Sequence, residues 1–222
     1  MQYSAITSWA RLIWDGLKTY GIDAEAIFRD AGLEPAFLED PNGRYPVSGM
    51  IRLWDLAADA SEDPCFGLTA AKQWRPITWH GLGFAWLASS TLEEAYRRLA
   101  RYSAIFSSAA DIRLEQRSHV YRLIVGARPG LNQQPNGATI DAFVSIVIHM
   151  SRVIYGSDFC PLLVELTHPG DGCRQKRREF FGCNVGYQAA ENAVEVSKDV
   201  ARKILPSANA ELAHANEKAI KT

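Results

Sequence analysis

Residues 111–125 read DIRLEQRSHVYRLIV, and this stretch decides the fold class. Ile112 and Leu114 alternate with charged neighbours, and a period of two is typical of a strand with one buried face. Polar residues at 116–119 separate this run from a second apolar run at 120–125. Two such runs around a short polar connection predict a β-hairpin.

The chain before the hairpin has a helical period instead. Near the N-terminus, apolar side chains recur at i, i+3, i+4, i+7, i+8 and i+11, which places them on one stripe of a helix: Ile6, Trp9, Ala10, Ile13, Trp14 and Leu17. Further helices are predicted at 24–31 and 47–60, with two consecutive helices between 78 and 106. Thr91 and Glu94 fit a capping box at the start of the second of these two helices.

The chain after the hairpin mixes both periods. Helices are predicted at 138–155 and 172–181, and extended segments at 162–166, 185–187 and 193–196. Helices first, then antiparallel strands with helices between them, indicate an α+β fold. We therefore expect a single domain with a helical N-terminal half, followed by a small antiparallel sheet with interspersed helices.

The composition excludes several classes of protein. The 222 residues are 47% hydrophobic and 22% charged, enough to bury a core, and the net charge of −1 supplies no general attraction for nucleic acid. The N-terminus lacks the basic and apolar runs of a secretory signal, so we expect a cytoplasmic protein. The apolar segment 142–155 is too short to cross a membrane and predicts a buried helix, with His149 as a satisfied core residue.

The four cysteines, Cys65, Cys160, Cys173 and Cys183, stand far apart in the sequence. No pair has the two-residue spacing that zinc sites and dithiol redox sites favour. We expect reduced thiols that behave as small, partly buried apolar side chains. The spacing therefore predicts no metal site.

Enzyme and nucleotide signatures are missing from the chain. The stretch Gly81-Leu82-Gly83 begins like a dinucleotide fingerprint, but Trp86 stands where the third glycine belongs. Close helix packing through small residues explains it better. No nucleophile elbow, metalloprotease motif or phosphate loop is present, so we predict no catalytic residue and no cofactor. A small hydrolase using one of the scattered histidines is an alternative.

An aromatic cluster with a few polar side chains is the best candidate for a ligand site. It suits either a small-molecule pocket or simple core packing. The predicted pocket lies between segment 74–86, the helix at 92–106 and the hairpin, and Arg75 or His80 could meet a carboxylate there. Its predicted ligand-binding residues are Trp74, Arg75, Trp79, His80, Trp86, Tyr102 and Phe106.

The segment 171–181 carries the sharpest charge cluster: Arg174, Lys176, Arg177 and Arg178. A solvated helix face is expected, and the alternative is contact with phosphate or an acidic partner. With Phe180 and Phe181 beside it, the segment is also a candidate dimer interface, unless both phenylalanines belong to the core and the arginines are merely solvated.

The tail is poor in large apolar residues. From Ser207 onward, Leu212 and Ile220 are the only ones. We expect a folded domain at 1–206, and a linker or a loosely docked helix at 207–222.

Four stretches, in a fixed order, carry a family resemblance. They are similar to the N-terminal domain of AraC-type transcription regulators, in the branch that includes ornithine-utilisation and virulence regulators. The last stretch departs from the family pattern at Ala210, where the family usually has proline. The stretches are residues 63–68 (DPCFGL), 81–102 with its STLEEA motif at 90–95, 180–196 with FFGCNV at 180–185, and 205–212 (LPSANAEL).

This resemblance implies a non-enzymatic bacterial regulatory domain that binds a small organic effector and forms a homodimer. It also implies a C-terminal DNA-binding domain with two helix-turn-helix units, each placing a recognition helix in the major groove. No such unit fits in the ten residues that follow Leu212, so DNA would be bound only through a part of the regulator beyond this chain. A ligand-free dimerisation module is the alternative function.

Overall fold

The structure is a computed structural model that describes residues 3–221. The first half is helical, apart from a two-stranded antiparallel sheet that ties the N-terminus to the segment before the third helix. Its elements are β1 (Ser4–Ile6), α1 (Thr7–Thr19), α2 (Ala24–Asp30), β2 (Arg44–Pro46), α3 (Val47–Ser61), α4 (Phe66–Ala71), α5 (His80–Leu87) and α6 (Leu92–Tyr102).

The second half builds a five-stranded sheet in the order β3-β4-β7-β5-β6, in which β5 and β6 pair in parallel and the other neighbours are antiparallel. The predicted hairpin and the α+β fold class are confirmed. The elements are β3 (Ala110–Gln116), β4 (Val120–Ala127), α7 (Gly137–Tyr155), β5 (Leu163–Glu165), α8 (Arg174–Phe181), β6 (Asn184–Gly186), β7 (Asn192–Ser197), α9 (Lys198–Arg202) and α10 (Ala210–Lys221).

Helix α7 is the core helix of the fold. Asn136 caps it by accepting a hydrogen bond from the Thr139 N–H, and most of its side chains are buried. Its length and hydropathy alone would allow a membrane span, but 67% of its most apolar window is buried inside the fold. The expectation for His149 is wrong, because this side chain is exposed and lies edge-on to Trp74.

Helix α4 approaches α7 so closely that only glycine fits at the contact. A Cβ on Gly67 would lie 2.3 Å from the carbonyl oxygen of Ala138 and 2.8 Å from the Cβ of Asp141. This contact holds α4 against the first turns of α7.

The cysteine expectation is wrong for one pair. Cys65, just before α4, and Cys173, just before α8, form a disulfide across 108 residues of sequence, with their Cα atoms 5.3 Å apart. The fold brings together two residues whose sequence spacing gives no hint of pairing. Cys160 and Cys183 are free, the first exposed and the second half-buried.

The basic helix α8 is only partly solvated, so the prediction of a solvated face is wrong for Arg177. That side chain is 3% exposed, and its Nε and Nη2 donate to Oδ2 of the fully buried Asp141 at 2.8 and 2.6 Å. The other cationic side chains of α8 are exposed, at Arg174, Lys176 and Arg178. Of the two phenylalanines, Phe181 is core and Phe180 is half-buried.

The tail forms a docked helix, one of the two forms that the sequence left open. Asn209 caps α10 by accepting from the Leu212 N–H, and Ala213 is fully buried. A Cβ on Gly81 of α5 would lie 3.1 Å from Ile220, so small residues do allow close helix packing here.

Candidate functional site

An apolar cavity of about 90 Å³ lies between α1, α3, α7 and the β3–β4 hairpin. The wall residues with polar side-chain groups are Ser107 and Thr139, with hydroxyls, and Trp9 and Trp54, with indole N–H groups; no charged side chain lines the cavity among the described residues. The large side chains of the wall are Trp9, Val47, Met50, Ile51, Trp54, Phe106, Ile112, Val125, Leu131, Ile140 and Phe143.

Local sequence explains how the two long helices face the cavity. On α3 the lining residues Met50, Ile51 and Trp54 stand at i, i+1 and i+4. On α7, Thr139, Ile140 and Phe143 repeat the same spacing. Residues at these offsets share one face of a helix, so each helix presents a single continuous surface to the cavity.

Four aromatic rings form one side of the wall. The ring of Trp9 lies 6.4 Å from that of Trp54, 6.1 Å from Phe106 and 6.0 Å from Phe143, measured between centroids. Phe106 and Phe143 are 5.4 Å apart. Rings at these separations hold one another in place, so this side of the cavity is preformed.

The hairpin contributes small residues to the cavity wall. Ala110 and Ala127 are direct partners in the β3–β4 register, and both line the cavity together with Ala109 and Gly126. Larger side chains at these positions would fill the space. The cavity therefore exists because this end of the hairpin carries only small side chains.

One polar group in the wall has no partner. The indole Nε1 of Trp54 is buried, and within residues 3–221 no acceptor bonds to it. The side chain as a whole is 1% exposed. A buried donor without an acceptor costs about 1–3 kcal/mol.

The residues predicted from sequence are divided between the cavity wall, the layer behind it and the surface. Phe106 lines the cavity, and Trp79 stacks behind the wall, 5.1 Å from Phe106 and 5.5 Å from Phe143. Trp74 packs edge-on against Trp79 at 6.0 Å, one layer further out.

The remaining predicted residues lie away from the cavity. Trp86 is core and donates to the Met150 carbonyl at 3.2 Å, and half-buried Tyr102 packs against Arg101. Arg75 and His80 line a separate open groove beside the start of α5. Burial, followed by the positive charge of Arg44, lowers the pKa of His80.

Sequence reasoning missed the lining residues of α1, α3 and α7. Their helical stripes show that they face inward, but not that they border an unfilled space. The described residues contain no group of three or more His, Cys, Asp and Glu side chains able to hold a metal ion.

The family described as the arabinose-binding domain of AraC transcription regulators, N-terminal, matches residues 21–204. The chain belongs to this family. The AraC-type domain is 28% identical over 108 residues to the ornithine utilization regulator of Pseudomonas aeruginosa, an alignment that covers 48% of the chain and 32% of that protein. Both the family and this relative are transcription regulators rather than enzymes.

A solved structure supports the fold. The AraC-type domain superimposes on the crystal structure of the transcriptional regulator CdpR from Pseudomonas aeruginosa with a TM-score of 0.68 at 14% identity, covering 93% of the chain. It covers 60% of the CdpR chain. The resemblance predicted from the sequence is thereby confirmed, and the chain spans only part of the length of both regulators.

Proposed function

We propose that this AraC-type domain binds a small, largely apolar effector in the cavity and thereby controls a DNA-binding domain in a longer regulator. The observation that carries the proposal is a preformed apolar cavity, walled by Trp9, Trp54, Phe106 and Phe143, in a domain of this family. Small-molecule sites are typically concave and apolar, with a few polar groups that orient the ligand.

The lining defines the chemistry of the ligand. Without a charged partner, an ionised ligand group would lose its hydration on entering, so the buried part of the effector is neutral. The cavity is smaller than the engineered 150 Å³ cavity that holds benzene, so a short aliphatic chain suits it. A charged end of the effector would remain outside the apolar wall.

A thermal-shift series tests the proposal with n-butanol, n-hexanol, butanoate and hexanoate as probes. A ligand at 100 times its dissociation constant adds about 2.7 kcal/mol to the free energy of unfolding. At roughly 2–4 °C per kcal/mol for a chain of this size, we expect an increase in Tm of about 5–10 °C. The neutral alcohols should produce larger shifts than the carboxylates of equal chain length.

A matched pair of variants locates the binding. Ala127→Leu puts a large side chain in the cavity wall, and Ala60→Leu makes the same change on the exposed end of α3. The shift should disappear in the first variant and persist in the second. A domain that responds to none of the probes would instead be a ligand-free dimerisation module.

Recognition of DNA is proposed for the longer regulator and not for this domain. With 24 basic against 25 acidic residues, the chain lacks the positive field that drives phosphate binding. A gel-shift titration with promoter DNA should therefore show no specific complex for the isolated chain.

We also propose that the domain acts in the cytoplasm, where a regulator meets its promoter. We further propose that it forms a homodimer, because a two-fold symmetric protein matches an operator with two half-sites.

A further inference from the structure

Strand β3 forms one edge of the five-stranded sheet. The Arg117 N–H donates to Val120 and the Arg128 N–H to Ala109, so the odd-numbered residues of this strand bond to β4. The main-chain groups of the even-numbered residues therefore point away from the sheet. Those of Ile112, Leu114 and Gln116 have no bonding partner in the part of the chain that the structure describes.

The odd-numbered side chains carry an alternating charge pattern. Asp111, Arg113, Glu115 and Arg117 are negative, positive, negative and positive along one face of the strand. Among the described residues, every ion pair of these side chains has at least one exposed partner, as in Arg113 with Glu191 at 2.8 Å. Exposed pairs of this kind are weak, so the four charges can exchange partners at little cost.

This pattern favours one register when the strand pairs with a second copy of itself. An axis at Leu114 gives every one of these charges an opposite partner, whereas an axis at Ile112 or Gln116 does so for only half of them. With the two-fold axis at Leu114, Asp111 faces the Arg117 side chain of the other copy, and Arg113 faces its Glu115. Shifting the axis by one residue places Arg113 opposite itself, or Glu115 opposite itself. Opposite charges across a strand pair stabilise it and like charges destabilise it, so both shifted registers are disfavoured.

The hydrogen-bonding pattern agrees with the same register. An axis at Leu114 pairs the free groups of Ile112 with those of Gln116, and those of Leu114 with themselves. These are the even-numbered residues whose groups point outward. An edge strand that meets both conditions is a template for pairing with another chain.

We propose that two copies of this chain associate through β3, antiparallel about Leu114, so that their sheets join into one continuous sheet. The proposal rests on the homodimer proposed above and names its surface. Segment 171–181 is less suitable as the interface, because Arg177 and Phe181 are buried inside the fold.

Cysteine cross-linking tests the register on the whole chain in a Cys160→Ser background, under a glutathione redox buffer. Leu114→Cys should cross-link to itself, because directly paired residues have Cα atoms about 5.5 Å apart, within disulfide range. Gln116→Cys alone should not, since its two copies would lie roughly 13 Å apart. Gln116→Cys mixed with Ile112→Cys should cross-link.

Charge reversal provides an independent test by sedimentation equilibrium, in case substitution at the half-buried Leu114 weakens the fold. Arg113→Glu and Glu115→Arg should each raise the dimer dissociation constant at least tenfold, and the double variant should recover most of this loss. Arg178→Glu, exposed on α8, is the matched control and should have no effect.

The possible outcomes are distinct. A dimer that neither cross-links at residue 114 nor weakens on charge reversal would overturn the β3 surface while keeping the homodimer. A strict monomer at high micromolar concentration would overturn both. Effector binding is measured separately by the thermal-shift series and does not depend on either result.

Discussion

The buried ion pair between Asp141 and Arg177 should be the most sensitive electrostatic contact of the fold. Asp141 is 0% exposed, and its carboxylate accepts two hydrogen bonds from Arg177, with His168 Nε2 at 3.1 Å. Arg177 also donates to the Gly170 carbonyl at 2.8 Å, which ties α8 to the loop before it. Removing the guanidinium would leave a buried carboxylate without its counter-charge.

Arg177→Met removes the charge but keeps much of the side-chain volume. Breaking a buried pair by removing one partner costs about 3–5 kcal/mol. The matched control is Arg178→Met, one residue further along α8, where the side chain is exposed and the expected change is within about 0.5 kcal/mol. A third variant, Asp141→Asn with Arg177→Met, removes both charges and should be more stable than Arg177→Met alone.

Urea unfolding followed by tryptophan fluorescence measures all three variants. With m of about 2 kcal/mol per molar urea, the expected loss lowers the midpoint for Arg177→Met by roughly 1.5–2.5 M. If this midpoint moves no more than that of the Arg178→Met control, the pair is not a structural contact and the reasoning is wrong. A double variant less stable than the single one would show that the hydrogen bonds, and not the charge, matter.

Three further contacts give predictions of their own. Gly67→Ala places a Cβ 2.3 Å from a carbonyl oxygen of α7 and should cost about 1–3 kcal/mol in urea unfolding, whereas Gly126→Ala meets nothing closer than 3.7 Å and should cost less. Cys65→Ser removes a disulfide that spans 108 residues and should lower the free energy of unfolding by up to about 4–5 kcal/mol. Reducing this disulfide in the unsubstituted chain should have the same effect, and the control Cys160→Ser should have none. Burial, with a nearby glutamate charge, raises the pKa of Tyr45 from 10.0 to about 12, so its contribution to stability is complete below pH 10 and is lost as the pH rises towards 12. Titration of tyrosinate absorbance should show this residue ionising well above pH 10 or with unfolding, and ionisation at pH 10 in the folded state would contradict the assignment.

The fold could be predicted because its main elements carry strong periodicity. The alternation in 111–125 sets the hairpin, and the apolar run in 138–155 sets the core helix, since both patterns record which side of an element is buried. The sheet of β1 and β2 could not be predicted. Its strands have three residues each, and Ile6 at the end of β1 also fits the helical stripe that continues into α1.

The candidate site was only partly predictable, because a cavity is a difference between the space available and the side chains that fill it. Periodicity places Trp9, Trp54 and Phe143 inside, but whether they touch or leave a gap depends on how three helices and a hairpin meet. One signal was available in the small residues at 107–110 and 126–127, of which Ala110 and Ala127 stand opposite each other in the register. Small side chains at one end of a hairpin, beside large aromatic side chains, indicate an unfilled space.

The errors at Arg177 and Cys173 share a physical cause. Residues 173, 177 and 181 stand four apart, on one stripe of α8, and all three are buried in the fold. The charge cluster suggested a solvated helix, and three of its four cationic side chains do face solvent. For α8, helical spacing is therefore a better guide to the inward face than residue type.

The aromatic cluster predicted from sequence connects the cavity to the end of the chain. Phe106 and Phe143 of the wall stack on Trp79, the last residue before α5, and α5 supports α10 through Gly81. Continuous packing does not by itself transmit a signal. An effector shifts this path only if it contacts the wall differently in two positions of the rings, because a ligand shifts a conformational equilibrium by its difference in affinity for the two states.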